Sequence, residues 1–141
     1  MRYSRLSMYI AALIAMVSCS TQKTGPAEET SAENEKEKIK LITLDPGHFH
    51  AALVQKSMFE NVDSVVHVYA PEGQELQDYL NKIESYNTRP EDPTRWKEEV
   101  YTGTDYLQKM LAEKPGNVVV LAGNNKLKPQ YIKSSIEAGL N

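Results

Sequence analysis

Cysteine, histidine and tryptophan are scarce in this 141-residue chain, which holds one cysteine, three histidines and one tryptophan. A single cysteine excludes an intramolecular disulfide, so the fold depends on its apolar core. The formal net charge of −3 argues against a general affinity for nucleic acid. The apolar run at residues 8–17 is too short to span a bilayer. The length allows one domain at most.

Residues 1–19 have the pattern of a secretory signal peptide, because Arg2 and Arg5 precede the apolar run. The following letters "MVSC" place Cys19 directly after a small residue and resemble the lipobox of bacterial lipoproteins. The resemblance implies that Cys19 is the lipid-bearing N-terminus of the mature protein. We therefore expect an exported protein, lipid-anchored to a bacterial membrane and facing the periplasm or the cell surface. A thiol in an ordinary signal peptide is the alternative.

Residues 20–38 hold almost no large apolar side chain. Such a segment cannot bury enough surface to offset the entropy lost on ordering, so we expect a disordered tether. Residues 39–141 remain for the folded domain.

Short β-rich runs alternate with amphipathic segments throughout residues 39–141. The patterns predict strands at 39–44, 65–69, 100–101 and 117–122, and helices at 51–59, 71–86, 105–113 and 129–138. Strands that alternate with helices indicate a doubly wound, parallel, Rossmann-like α/β sheet. In the usual strand order 3-2-1-4, ligands bind where the loops after the first and fourth strands meet. Here those loops are "DPGHFH" and "AGNNKLK".

The segment "DPGHFH" at residues 45–50 supports a first hypothesis, a zinc site. "LDPGH" looks like the start of zinc-dependent N-acetylmuramoyl-alanine amidases, and "DPGHFH" is similar to the His-x-His of amidohydrolases. A catalytic zinc needs three protein ligands and an open position for water. His67 lies in the middle of a predicted strand, so the loops do not present a third histidine. A zinc-dependent hydrolase is therefore an alternative, with no metal ligand assigned.

The order of segments in residues 39–141 supports a second hypothesis. The most specific part is "VYTGTDYLQKMLAEKPGNVVVLAGNNKLKPQYIKSSIEAGLN", with its strand Val118–Leu121, Asn125 and the ending "EAGLN". In these features the chain resembles the N-terminal part of the glucose-fructose oxidoreductase/inositol dehydrogenase (Gfo/Idh/MocA) family. The resemblance implies a Rossmann domain that binds NAD or NADP, in an oxidoreductase that acts on a sugar or polyol.

The turn after the first strand is the predicted phosphate-binding element, with Gly47, His48 and Phe49 as cofactor-binding residues. Backbone N–H groups at such a turn face the pyrophosphate, and its glycines permit close approach. On the pattern G-x-G-x-x-G, Asp45 and His50 occupy glycine positions. Asp45 would bring a carboxylate close to the phosphates, and His50 is bulky where a helix should pack closely on the sheet.

Three further residues are candidates for cofactor binding. Glu72 follows the second strand at the position of an acidic residue that bonds the adenosine ribose, which favours NAD over NADP. Its alternative role is a favourable charge in the first turn of a helix. Asn124 and Asn125 approach the nicotinamide side, or are ordinary turn residues. Lys128 stands where the family usually has histidine. The loop 87–97 also offers Arg89, Arg95 and Trp96 as a set that could cover a ligand.

The resemblance also implies parts that this sequence does not contain. In the family, a strand leading to Glu/Asp-Lys-Pro follows, and its lysine lies at the reacting carbon. A C-terminal domain supplies most of the substrate site. We therefore expect an incomplete Rossmann-like domain that has no turnover alone and belongs to a longer protein with a small-molecule substrate. The first alternative is a non-catalytic lipoprotein with a degenerate Rossmann fold.

Overall fold

The computed structural model describes residues 38–141, so the predicted signal peptide, Cys19 and nearly all of the tether lie outside the described residues. The strands are β1 (Ile39–Leu44), β2 (Val62–Tyr69), β3 (Lys97–Tyr101) and β4 (Val118–Leu121). The helices are a 3₁₀ helix (Phe49–Gln55), α1 (Gln74–Asn87), α2 (Tyr106–Glu113) and α3 (Lys128–Glu137). Within this range, no helix combines the length and apolar character that crossing a membrane requires.

The four strands form one parallel sheet in the order β3-β2-β1-β4. Leu44 at the end of β1 pairs with Tyr69 of β2 and with Leu121 of β4. The carboxyl ends of these three strands therefore meet at one edge of the sheet. The predicted doubly wound, Rossmann-like α/β fold and its strand order are confirmed.

Apolar side chains cover both faces of the sheet. The 3₁₀ helix and α1 pack on one face, around the fully buried Ile83 and Val66. Helices α2 and α3 pack on the other face, around Ile42 and Met110, which are also fully buried. Burial on both faces explains why the strands read as continuous apolar runs in the sequence.

The helix predicted at 51–59 is wrong in both kind and extent, since a 3₁₀ helix spans Phe49–Gln55 instead. Leu53 and Val54, which suggested a helical stripe, are 45% and 39% exposed. The buried residues are Ala51 and Ala52, whose small side chains bring this helix close to the sheet. The apolar periodicity therefore came from surface residues.

The outer edge of the sheet at β4 is partly covered. The N–H of Asn141 donates to the carbonyl of Asn117 over 3.1 Å, and the N–H of Val119 donates to the carbonyl of Asn141 over 2.7 Å. These are the two bonds of a parallel bridge. Asn141 thus satisfies backbone groups on the outer edge of β4. Gly139, with φ of +79°, follows α3 in the left-handed conformation that is common just after a helix C-terminus.

A chain of buried polar groups ties the 3₁₀ helix to the sheet and to α1. The hydroxyl of Tyr79 donates to Oε1 of Gln55 and lies 3.2 Å from the hydroxyl of Thr43. Nε2 of Gln55 donates to Oε1 of Glu98 on β3 over 2.8 Å. Burial raises the pKa of the Glu98 carboxyl above its ordinary value, although the bond from Gln55 partly opposes this shift.

The raised pKa of Glu98 predicts a pH dependence of stability. The folded state resists ionisation of this group, so its contribution is fully present below the unfolded pKa of about 4.3 and is lost as the pH rises through the folded pKa. In urea unfolding at several pH values, we expect the wild type to lose stability relative to Glu98→Gln as the pH rises above about 4.3. A constant difference between the two proteins across this range would contradict the prediction.

Candidate functional site

A tight turn follows β1 at the edge where the strands end. Asp45 continues the ladder, since its N–H donates to the carbonyl of Tyr69 over 2.9 Å. The N–H of Gly47 then donates to the carbonyl of Asp45 over 2.8 Å, which makes a γ-turn centred on Pro46. Asp45 has φ of +49°, a left-handed conformation that aspartate tolerates better than most residues. This geometry turns the chain sharply at the predicted phosphate-binding position.

The carboxylate of Asp45 points into the protein and away from the turn's outer surface. Its Oδ2 accepts a hydrogen bond of 3.1 Å from the hydroxyl of Tyr131 on α3, and the residue is 6% exposed. Tyr131 in turn accepts from the hydroxyl of Tyr106, because its single proton goes to Asp45. Burial, Tyr106 and Asp45 all raise the pKa of Tyr131, so it is a neutral donor. The carboxylate of Asp45 is therefore hydrogen-bonded beneath the turn.

The backbone after Gly47 offers free donors. Nδ1 of His48 accepts the N–H of His50 over 3.3 Å, and the carbonyl of His48 accepts the N–H of Ala51. Among the residues that the structure describes, none accepts a hydrogen bond from the N–H of His48 or Phe49. The side chains of His48, Phe49 and His50 form an exposed three-ring cluster, with ring centroids 4.1 to 4.5 Å apart.

The expected steric problem at His50 does not arise in the structure. His50 is exposed, whereas the neighbouring Ala51 and Ala52 are 0% and 1% exposed and pack against the core. The close packing of helix on sheet therefore falls one and two residues later than the glycine pattern predicts. The bulky imidazole stays on the surface of the crevice.

Two glycines bring the loops after β1 and β4 together. A Cβ atom on Gly123 would overlap the carbonyl oxygen of Asp45, so only glycine allows this approach. A Cβ on Gly47 would lie 3.5 Å from the Cα of Gly123 and 2.9 Å from Oε2 of Glu75. The two loops thus touch at the switch point of the sheet, as the predicted strand order requires.

Three adjoining cavities form a crevice along this edge. The first has a volume of about 370 Å³ and lies between the turn and α1, with walls that include Phe49, Glu75, Asp78 and Lys82. The second, about 160 Å³, lies between the turn and the segment that follows β2. The third, about 380 Å³, lies between the turn and the loop after β4. Gly47 lines the first two cavities, and His48 lines the first and the third.

The structure brings five of the six predicted cofactor-binding residues to this crevice. Glu72 lines the second cavity opposite Gly47 and accepts a hydrogen bond of 3.3 Å from Thr102. Asn125 lines the third cavity, where its Oδ1 accepts from Nζ of Lys128 over 3.0 Å. Asn124 instead closes the turn before α3, because its Oδ1 accepts the N–H of Lys126. Asn124 therefore has the role of a turn residue.

Two of the three residues in the loop 87–97 that could cover a ligand, Arg89 and Trp96, have structural roles instead. Trp96 is 4% exposed and packs in the core beneath α1. Arg89 donates to the carbonyls of Asp92 and Lys56, which holds the loop in place. These side chains stabilise the fold, and the Trp96 ring is not available for stacking on a ligand.

The described residues contain no cluster of potential zinc ligands. Among residues 38–141, no three His, Cys, Asp or Glu side chains converge on one metal position. His67 lies within β2, and its Nδ1 is 3.4 Å from Glu99 on β3. His48 and His50 instead lie in the walls of the crevice.

Two site residues were missed by the sequence argument. Glu75 stands against Gly47, and Tyr131 holds Asp45 from α3, 86 positions along the chain. Glu75 lies in the first turn of α1, where an acidic residue is common because it interacts favourably with the helix dipole. Its position therefore gave no indication of a binding role. Tyr131 reads as an apolar position on an amphipathic helix. In both cases the tertiary contact defines the role.

The parallel sheet, its switch point and the glycine-bearing turn define this part of the chain as a Rossmann-like α/β domain. No protein-family model matches the chain, and no curated protein matches it. It is similar to the crystal structure of "a putative oxidoreductase" from Parabacteroides merdae ATCC 43184, with 59% sequence identity and a TM-score of 0.73. The similarity covers 74% of this chain and 24% of that chain. This chain thus corresponds to about a quarter of that protein's length.

Proposed function

We propose that this chain is the cofactor-binding front part of an exported NAD(P)-dependent oxidoreductase that acts on a sugar or polyol. The free N–H groups of His48 and Phe49 carry the proposal, because they follow Gly47 at the switch point of a parallel sheet. Such donors suit a pyrophosphate. The similarity to the Parabacteroides merdae protein supports the oxidoreductase class.

The crevice fits an extended dinucleotide. Two cavities beside α1 adjoin the turn, so the adenosine half of such a ligand could extend into them from a pyrophosphate at His48 and Phe49. The carboxylate of Asp45 would repel the phosphates, but it is buried and accepts a hydrogen bond from Tyr131 beneath the turn. Glu72 and Glu75 line the second cavity, between the turn and the segment that follows β2. A 2′-phosphate would meet these carboxylates, which supports NAD over NADP.

Three residues of the crevice then have roles toward the cofactor. The bound nicotinamide would supply the hydride acceptor or donor. The turn at Gly47 would hold the phosphates, Glu72 would accept hydrogen bonds from the adenosine ribose, and Asn125 would face the nicotinamide side. A lysine and a substrate domain of a longer protein would complete the enzyme.

Export and lipidation belong to the same proposal and rest on residues 1–19 alone. Lipid attachment at Cys19 would anchor the domain to a bacterial membrane through the segment 20–38. The mass of the mature N-terminal peptide tests this part, since an unlipidated N-terminus would contradict it.

Binding of the reduced cofactor tests the nucleotide site. We expect NADH to bind the purified protein in a calorimetric titration, and Glu72→Gln to weaken that binding by about tenfold, because a charged hydrogen bond to the ribose is lost. The same substitution should narrow the preference for NADH over NADPH.

Glu84→Gln is the matched control. Glu84 is an exposed residue of α1, the helix that follows Glu72, and it does not line the crevice. Its substitution should therefore leave the affinity for NADH unchanged. Absence of binding heat from both NADH and NADPH would remove the oxidoreductase proposal. Equal losses in the two variants would remove the role of Glu72.

One observation favours a second candidate, a non-catalytic lipoprotein with a degenerate Rossmann fold. Oε2 of Glu75 lies 2.9 Å from where a Cβ of Gly47 would be, so a carboxylate stands beside the predicted phosphate position. A phosphate there would be repelled unless the exposed side chain turned away. The same titration separates the candidates, since the degenerate fold predicts no binding of either cofactor.

A further inference from the structure

The two ends of the crevice differ in charge. The cavities beside α1 are lined by four acidic residues and one lysine, namely Asp45, Glu72, Glu75, Asp78 and Lys82. The third cavity, between the turn and the loop after β4, has His48, His50, Asn125 and Lys128 as its polar lining. No carboxylate belongs to that lining. The end of the crevice at β4 therefore presents one ammonium group and several hydrogen-bond donors, and no carboxylate.

The donors of the third cavity converge on one space of about 380 Å³, on the order of ten water volumes. The imidazoles of His48 and His50 stack with ring centroids 4.4 Å apart. Because Nδ1 of His48 accepts a backbone N–H, its proton lies on Nε2 in the neutral form. Lys128 is half-buried, and its Nζ is held by Oδ1 of Asn125 over 3.0 Å. The ammonium is thus placed at the cavity wall.

One buried carboxylate, that of Asp45, lies close to the cavity wall at Gly123. A Cβ built on Gly123, which lines the cavity, would be 3.3 Å from Cγ of Asp45. That carboxylate is 6% exposed and accepts the hydroxyl of Tyr131. It is therefore not offered to a ligand, and Lys128 remains the principal charge facing the cavity.

We infer that the third cavity binds an anionic group of the substrate, a carboxylate or a phosphate on a sugar or polyol. The inference rests on the proposed function for the identity of the ligand as substrate. The anion site itself follows from the lining alone. Lys128 supplies the charge, and Nε2–H of His48 and the imidazole of His50 supply directional donors. A neutral sugar would leave the ammonium without a counter-charge, so acidic or phosphorylated substrates should be preferred.

The three histidines of the chain make a direct test possible by NMR of their side chains. The purified protein is titrated with inorganic phosphate, D-gluconate or D-glucose at fixed pH and ionic strength. We expect saturable shifts of the His48 and His50 signals with phosphate and gluconate, and none with glucose. His67 lines a different cavity and is the internal reference.

Lys128→Met and Lys133→Met form a matched pair on α3. Lys133 is exposed, with a side chain 75% accessible, and lies outside the cavity lining. Lys128→Met should weaken phosphate binding by about fivefold or more, while Lys133→Met should leave it unchanged. Shifts that do not saturate, or that are equal in both variants, would overturn the inference.

The cofactor's own phosphates are the other source of an anion, and saturating NAD distinguishes the two. Persistence of the phosphate-induced shifts in the presence of NAD supports a separate substrate subsite. Loss of those shifts would assign the cavity to the pyrophosphate and overturn the substrate inference. If NAD does not bind, the proposed function fails, whereas saturable binding of phosphate through Lys128 would still support the anion site.

Discussion

Gly123→Ala should lower the free energy of unfolding by about 3 kcal/mol, because it forces an atom into a close backbone contact. The new Cβ would overlap the carbonyl oxygen of Asp45, and would lie 3.3 Å from its Cγ. A backbone carbonyl cannot swing aside as a long side chain can. The loops after β1 and β4 would have to separate, which should also weaken cofactor binding at the turn.

Gly73→Ala is the control for this substitution. A Cβ on Gly73 would have no neighbour within 4 Å, and its φ of 163° is an extended conformation open to any residue. We expect this variant to be unchanged or stabilised by up to about 1 kcal/mol, since alanine has less freedom in the unfolded chain. Urea unfolding of both variants measures the difference. Similar stabilities would mean that the two loops do not approach as described.

Tyr131→Phe should cost about 2 kcal/mol of unfolding free energy, because it leaves the buried carboxylate of Asp45 without its donor. The Tyr131 hydroxyl donates to Oδ2 of Asp45 over 3.1 Å and also receives the hydroxyl of Tyr106. Two buried polar groups lose a partner at once. Asp45 has a left-handed backbone conformation at the start of the turn. Loss of its hydrogen bond should therefore also make the turn less rigid and reduce the affinity for NADH.

Tyr86→Phe removes a tyrosine hydroxyl from a similarly buried ring and is the matched control. Tyr86 is 7% exposed, and within residues 38–141 its hydroxyl has no hydrogen-bond partner. We expect a change within about 0.5 kcal/mol for this variant. Chemical denaturation compares the pair. An equally small change in the free energy of unfolding for Tyr131→Phe would mean that the hydrogen bond between Tyr131 and Asp45 does not contribute to stability.

Local pattern was sufficient to predict most of the fold. The strand Ile39–Leu44 is a short β-rich run that ends at Asp-Pro-Gly, and the structure gives it the predicted bounds. Helix α2 (Tyr106–Glu113) lies within the predicted range, with Leu107 and Met110 buried on its apolar stripe. The parallel order of the strands followed because strands and helices alternate. These features depend on periodicity and turn residues, which a sequence displays directly.

Contacts between distant residues decided the site. The sequence placed Asp45 at a glycine position and predicted a conflict with phosphate, but it could not show that Tyr131 on α3 pairs with that carboxylate. It likewise assigned the close packing to His50, whereas Ala51 performs it. Trp96 read as an exposed stacking residue and is buried in the core.

The sequence by itself therefore determined the class of fold and the edge of the sheet where a ligand would bind, because both follow from the order of local elements. Only the tertiary structure decided which side chains face that edge. Gly123 and Tyr131 act through groups far away in the chain, and the direction of a carboxylate depends on which donor packs beneath it. The turn "DPGHFH" thus has a left-handed residue, Asp45, whose carboxylate is hydrogen-bonded to Tyr131 on α3. Its two imidazoles are exposed and can contact a ligand.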